Sequence, residues 1–292
     1  MFVPILIPQS MLVFNKKELL REEIEALKTP KSSVGFVPTM GALHKGHLSL
    51  LEKSVAENSI TVISIFVNPT QFNNAEDLKK YPKTLEADLE KIKTVSEKIL
   101  VYAPTVDDIY EGNTVSEHFS FDGLEHEMEG KFRPGHFDGV GTVVKKLFEI
   151  VQPNHAYFGE KDFQQLQIVK KLVQKQNLPV NIVACPIYRE ANGLAMSSRN
   201  QRLSEEEKNK AGIIYKTLMQ AKKMFGTKSA QEVSKWVTNQ LKKQNTFELE
   251  YFEIASEDNL KTCKRKSKNK NYRAFIAVFV NKIRLIDTIS LK

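Results

Sequence analysis

Through the first 185 residues, short apolar runs alternate with helical patterns, and this rhythm restricts the fold more than any other feature of the chain. The runs at 34–38 (VGFVP), 60–67 (ITVISIFV), 98–104 (KILVYAP), 155–159 (HAYFG) and 181–186 (NIVACP) read as strands. The second is apolar almost throughout, as a strand covered on both faces would be. Between the runs lie helical stretches. The clearest places Val140, Val143, Val144, Leu147, Phe148 and Val151 on one face. Strand–helix alternation of this kind predicts an α/β unit, a parallel sheet with helices on both sides. The opening MFVPILIPQSMLVF lacks a basic leader and a small-residue cleavage site, so it reads as a first strand rather than a signal peptide.

After about residue 186 the rhythm changes. Ser204 followed by Glu205, Glu206 and Glu207 forms an N-cap with an acidic first turn. The helix from there would carry Ile213, Ile214, Leu218 and Ala221, and a second lies near 230–243. FELEYFEIA (247–255) and RAFIAVFV (273–280) read as strands joined by a basic linker. The expected division is therefore 1–186 as the larger domain and 187–292 as a smaller α+β domain, which the chain's 292 residues accommodate. No apolar run is long enough for a membrane span. Two distant cysteines, Cys185 and Cys263, argue against a disulfide framework and fit a reducing cytoplasm. A net charge of +8 favours anionic partners without choosing among them.

Five segments carry chemistry. In PTMGALHKGH, Gly41 and Gly46 have the spacing of a phosphate-binding loop, but His47 and Leu48 stand where lysine and a hydroxyl residue are required. That loop type is rejected. A helix N-terminus beside glycines still suits an anion, and His44 and His47 would share one face of its first turn. From these residues alone, anion binding and idle loop histidines remain open; zinc lacks an evident third ligand nearby. FVNPTQF puts Asn68 and Gln71 at the C-terminal end of a strand, where open α/β sheets bind ligands. In YFGEKDFQQL, Lys161 stands where it could reach a phosphate, with Gln164 and Gln165 one turn further on. GLAMSSRNQRLS offers hydroxyls and Arg199 in a loop, a combination that can wrap phosphate oxygens. FRPGHFDGVG has a GxG without a third glycine, so a dinucleotide fingerprint is rejected; Arg133 and His136 there either line a site or only shape a turn. The basic linker 261–273 reads as a solvated hairpin loop rather than an RNA contact.

Together these segments resemble the pantoate–β-alanine ligase family, in its motifs, order and spacing, and RLID (284–287) extends the match towards the C-terminus. The resemblance implies a Rossmann-like domain of the nucleotidyltransferase type, a small C-terminal lid and a cytoplasmic homodimer, with neither nucleic acid nor membrane as partner. It implies condensation of pantoate with β-alanine through a pantoyl adenylate, using ATP with Mg²⁺ and no metal held by the protein itself. By position, Met40, Gly41, Ala42, Leu43, His44, Lys45, Gly46 and His47 match the ATP-binding loop, with His47 as proton donor. Gly159, Glu160, Lys161 and Asp162 match a further ATP-binding stretch, and Met196, Ser197, Ser198 and Arg199 the flexible phosphate loop. His44, His47, Lys161 and Arg199 are the implied catalytic set, while Gln71 and Gln165 match the pantoate and β-alanine glutamines. Tyr188, expected to meet adenine through its backbone, replaces a usual valine, Asn192 a usual aspartate, and FNNAEDL lacks a usual glycine-proline pair. A nucleotidyltransferase acting on another substrate and a non-enzymatic nucleic-acid binder are the competing expectations.

Overall fold

A six-stranded parallel sheet organises the larger part of the computed structural model, which describes residues 11–292. β1 (Val13–Phe14) leads into α1 (Lys17–Leu27), β2 (Val34–Thr39), α2 (Lys45–Glu57) and β3 (Ile60–Ile65). The helices α3 (Ala75–Lys79) and α4 (Leu85–Lys93) precede β4 (Leu100–Tyr102). After α5 (Val106–Tyr110), α6 (Met128–Phe132) and α7 (His136–Val151) come β5 (His155–Gly159), α8 (Phe163–Lys175) and β6 (Asn181–Cys185). Of the strand expected at the start, only β1 falls within the described residues; positions 1–10 lie outside them.

The order β1-β4-β3-β2-β5-β6 puts the reversal of winding between β2 and β5. Crevices at such a reversal, outside the carboxyl ends of the strands, are where open α/β sheets bind ligands. Successive residues of each inner strand point to opposite faces. Phe36, Val62 and Leu100 join the core under α1, α7 and α8, whereas Val37, Ile63 and Val101 join the core under α2 and α4. Each such buried side chain contributes roughly 1.5–3 kcal/mol, so the sheet is fixed from both sides.

The second unit contains α9 (Glu205–Ala211), α10 (Ile213–Phe225), α11 (Ala230–Lys242), β7 (Phe247–Ser256), β8 (Tyr272–Val280) and β9 (Ile283–Ser290). Its strands form an antiparallel meander in the order β7-β8-β9. Ser204 caps α9 as expected, with Glu207 completing a capping box. The single helix expected onward from there is two, interrupted at Gly212, where a Cβ would lie 2.8 Å from the Asn192 carbonyl. β9 holds the RLID motif, read in the sequence only as a motif and not as a strand.

The linker between β7 and β8 is a hairpin loop, pinned by buried Leu260 and Cys263. Arg273, counted with that linker and also as the first residue of the strand RAFIAVFV, belongs to β8. It is buried, donates to Glu160 and Glu257, and stacks on Phe163 at 4.0 Å. Arg284 of β9 likewise reaches across to Glu129 of α6, at 2.7 and 2.8 Å. These contacts set the second unit against the open end of the parallel sheet. Among the described residues no helix is long and apolar enough to cross a membrane.

Candidate active site

The chain leaves β2 at Thr39 and turns sharply, with Gly41 at φ +83° and Ala42 at φ +50°. The turn is held from behind. Asp88 of α4, fully buried, accepts from the Ala42 amide at 2.9 Å and the Leu43 amide at 2.7 Å. The Thr84 hydroxyl donates to the same carboxylate. Lys91 donates to the Leu43 carbonyl at 2.7 Å and Ser198 to the Ala42 carbonyl at 3.1 Å. A Cβ at Gly41 would stand 3.2 Å from Asp88 Oδ2, in a backbone region where side chains are strained, so glycine is required there.

α2 then starts with His44 as its N-cap. The His44 and His47 rings stack, centroids 4.0 Å apart. The His44 amide donates to His47 Nδ1 at 3.3 Å. His47 Nδ1 is therefore unprotonated, and the neutral ring carries its proton on Nε2. Burial lowers the pKa of His44 to about 4, with Lys161 adding to the effect. Burial and the adjoining His44 hold His47 well below the ordinary histidine range. Both rings are neutral near pH 7. His44 Nδ1 is buried and without a hydrogen-bond partner among the described residues.

Facing this pair, a cavity of about 250 Å³ opens at the carboxyl ends of the central strands. Met40, His44, Gly46 and His47 form one wall; Gly159, Lys161, Asp162 and Gln165 form a second; Tyr188, Met196, Ser197, Ser198 and Arg199 close a third. Gln71 enters from the end of β3. Asn68, buried, donates to Gln71 Oε1 at 3.1 Å, which turns the Gln71 amide nitrogen towards Met40 and the cavity. The paired glutamines divide their tasks. Gln164 is buried and ties down the segment before α6, donating to the Leu124 and Glu127 carbonyls, while Gln165 lines the cavity.

Most of the residues singled out in the sequence thus meet in one place, and five stand apart. Gly41, Ala42 and Leu43 support the wall from behind, the Gly41 amide donating to Thr39 Oγ1 and the backbone of Ala42 and Leu43 committed to Asp88, Lys91 and Ser198. Lys45 is exposed on the outer side of α2. Glu160 pairs with Arg273 at 3.1 Å. Tyr188 lies at the rim, its carbonyl already accepting from the Met196 amide at 3.0 Å. Asn192 accepts from Leu194 and also donates to the Lys208 carbonyl at 2.8 Å, a bond an aspartate could not make. In FNNAEDL, Asn74 caps α3 and Asn73 bonds the Pro134 carbonyl, which fixes this segment without a glycine-proline pair.

A pantoate-beta-alanine ligase family profile matches residues 12–290. The chain belongs to the pantoate–β-alanine ligase family. A pantothenate synthetase of Flavobacterium psychrophilum is 66% identical over 282 residues, covering 97% of this chain and 100% of that one. The solved pantothenate synthetase of Thermus thermophilus superposes with a TM-score of 0.87 at 38% identity, covering 96% of this chain and 99% of that one. A Francisella tularensis pantoate–β-alanine ligase, solved with a β,γ ATP ligand and β-alanine, superposes at 0.79 with 34% identity, covering 97% and 98%. The expected family, its ligase activity and its two-part fold are borne out.

The structure adds two carboxylates that the sequence did not mark, Asp88 and Asp77. Asp88 lies in LEADLEKI, an ordinary charged helix by composition. The usable signal was its place one turn from Ile92 on the buried stripe of α4. Asp77 was quoted within FNNAEDL without a role. It holds Arg199 at 2.8 Å and Arg202 at 3.3 Å, and this pairing, dependent on tertiary contact, leaves no trace in either segment alone.

Proposed function

We propose that this pantoate–β-alanine ligase joins its substrates by two successive displacements in the one cavity. Gln71 and Gln165 hold pantoate by its hydroxyl and carboxylate groups. The pantoate carboxylate attacks the α-phosphate of ATP, releasing pyrophosphate and leaving pantoyl adenylate. The amine of β-alanine then attacks the acyl carbon, and AMP departs. A carboxylate is a poor acyl donor until AMP makes a leaving group of it, and no side-chain nucleophile is needed.

The observation that carries this reading is the stacked His44–His47 pair, which faces Lys161 and Arg199 across the cavity. Adenylation builds charge on the α-phosphate and on the departing pyrophosphate, and donors fixed beforehand stabilise such charge. His47 acts as a neutral donor through Nε2–H. Its lowered pKa disfavours an imidazolium in the substrate-free site, so the role of proton donor is refined to hydrogen-bond donor. Lys161 and Arg199 supply the full positive charges, and the phosphates compete with Asp77 for Arg199. Mg²⁺ brought with ATP would supply positive charge at the phosphates. Asp162, half-exposed and bonded only to Lys161 among the described residues, is the carboxylate in the wall that fits it.

Residues 187–292 act as the lid, carrying Met196 to Arg199 over the nucleotide, and 1–186 form the catalytic body. A homodimer in the cytoplasm is the expected working form. The test is incubation with ATP, pantoate and β-alanine, with product identification. AMP, pyrophosphate and pantothenate are expected; ADP and phosphate would exclude the adenylate.

A further inference from the structure

Beside the main cavity lies a smaller one of about 90 Å³, room for a ligand of several heavy atoms where a single water needs only about 10–15 Å³. The two share Met40, Gln71, Lys161, Asp162, Gln165 and Arg199. The smaller one adds Arg133, His136 and Glu129. We propose that Arg133 anchors the non-reacting carboxylate of β-alanine in this side cavity, an assignment that rests on the ligase reading above.

The accounting of charge is the first reason. Every other cation around the side cavity has a close anion. Arg284 holds Glu129 at 2.7 and 2.8 Å, Arg199 holds Asp77 at 2.8 Å, and Lys161 holds Asp162 at 3.4 Å. Arg133 approaches Glu129 only to 3.8 Å, and that carboxylate is already forked on Arg284. Its one hydrogen bond among the described residues is to the Gln71 carbonyl, long at 3.4 Å. That carbonyl does not depend on Arg133, because His136 Nδ1 binds it at 2.8 Å. A guanidinium side chain only 25% exposed is thus left with most of its planar donor fork unused. Burial, with Arg199 and Arg284 nearby, lowers its pKa in spite of the opposing charge of Glu129.

The chemistry of the substrate is the second reason. After adenylation the pantoate carboxylate is an acyl phosphate, and the free carboxylate left in the reaction is that of β-alanine. Its amine must reach the acyl carbon held by Gln71 and Gln165. Arg133 bonds the backbone of Gln71, so a carboxylate on Arg133 leaves a short aliphatic amine directed at the Gln71 side chain. Bidentate recognition of a carboxylate is what an arginine fork supplies and a lysine does not.

The test compares β-alanine with β-alaninamide, which keeps the amine and loses the charge, in the full-length enzyme, Arg133→Ala and Arg133→Lys. The unaltered enzyme is expected to favour β-alanine by about 100-fold in kcat/KM. Arg133→Ala should lose about 100-fold with β-alanine and about threefold or less with the amide, so the preference collapses. Arg133→Lys should retain part of it. The loss with β-alanine should exceed any loss in pantoate-dependent pyrophosphate exchange by at least about tenfold. Equal losses with both amines, or in both half-reactions, overturn the assignment. Should Arg133→Ala not fold, an unaltered enzyme that does not discriminate between the amines overturns it too. No pantoate-dependent exchange in the unaltered enzyme would instead sink the ligase reading, so the two failures are distinct.

Discussion

The two sides of the nucleotide cavity are held by different means. On the β2–α2 side, Asp88 has no exposure and fixes the turn through backbone amides, with Lys91 and Ser198 on the carbonyls. On the opposite side, Arg199 and Arg202 rest on Asp77, each of the three side chains about a third exposed. A buried carboxylate on backbone amides makes a strong, persistent clamp. A solvent-exposed ion pair is worth about 0–1 kcal/mol and is readily exchanged. The contrast suits a site whose histidines must be in place before the reaction, and whose phosphate loop must release product.

The largest effect that could break this contrast lies on the fixed side. His47→Ala is expected to lower kcat by about 10³-fold with little change in melting temperature. A kcat within tenfold of the parent would shift the phosphate chemistry to the loop side. Next comes Asp88→Ala, which strands two buried amides and should destabilise the fold by about 3 kcal/mol, read in denaturant unfolding.

A pH effect follows, from one histidine on the fixed side and one at the side cavity. His44 and the buried His136 each have pKa values lowered to about 4 from 6.5, both chiefly by burial. The unfolded chain takes up these protons below about pH 6.5 while the native state resists until about pH 4. Stability should therefore be flat in this respect above pH 6.5 and fall as the pH drops towards 4, by on the order of 3 kcal/mol for each histidine. His136→Asn should flatten that fall; an unchanged slope would mean the histidines are solvated. The smallest effect belongs to the exposed side. Asp77→Ala should change stability by less than about 1 kcal/mol while speeding proteolysis near 196–202. If Asp77→Ala proves as damaging as Asp88→Ala, the two sides do not differ as described.

Much of this was legible because it is local. The strand runs gave the parallel sheet, and Gly41, Gly46, His44 and His47 gave a helix N-terminus with two imidazoles on one face. The family resemblance supplied Gln71, Lys161, Gln165 and Arg199 as members of one site, and they line one cavity. What escaped depends on contacts between distant segments. The Ala42 and Leu43 amides face Asp88 rather than the cavity, across 46 and 45 residues of sequence. Arg273 was read at the start of a strand and among the cations of the basic linker, but neither reading gave its ion pairs with Glu160 and Glu257 or its stacking on Phe163. Arg133 was left between lining a site and shaping a turn; its place in the side cavity, and its loose 3.8 Å approach to a Glu129 already held by Arg284, depend on segments far from FRPGHFDGVG.

The proposed reaction activates pantoate as an acyl adenylate. Pantoate carrying heavy oxygen in its carboxylate tests this most directly, with mass analysis of the AMP released in the presence of ATP and β-alanine. One labelled oxygen should pass from each pantoate to the phosphate of AMP, because the bridging oxygen of the adenylate leaves with it. Label in inorganic phosphate alongside ADP, or unlabelled AMP, would contradict the mechanism.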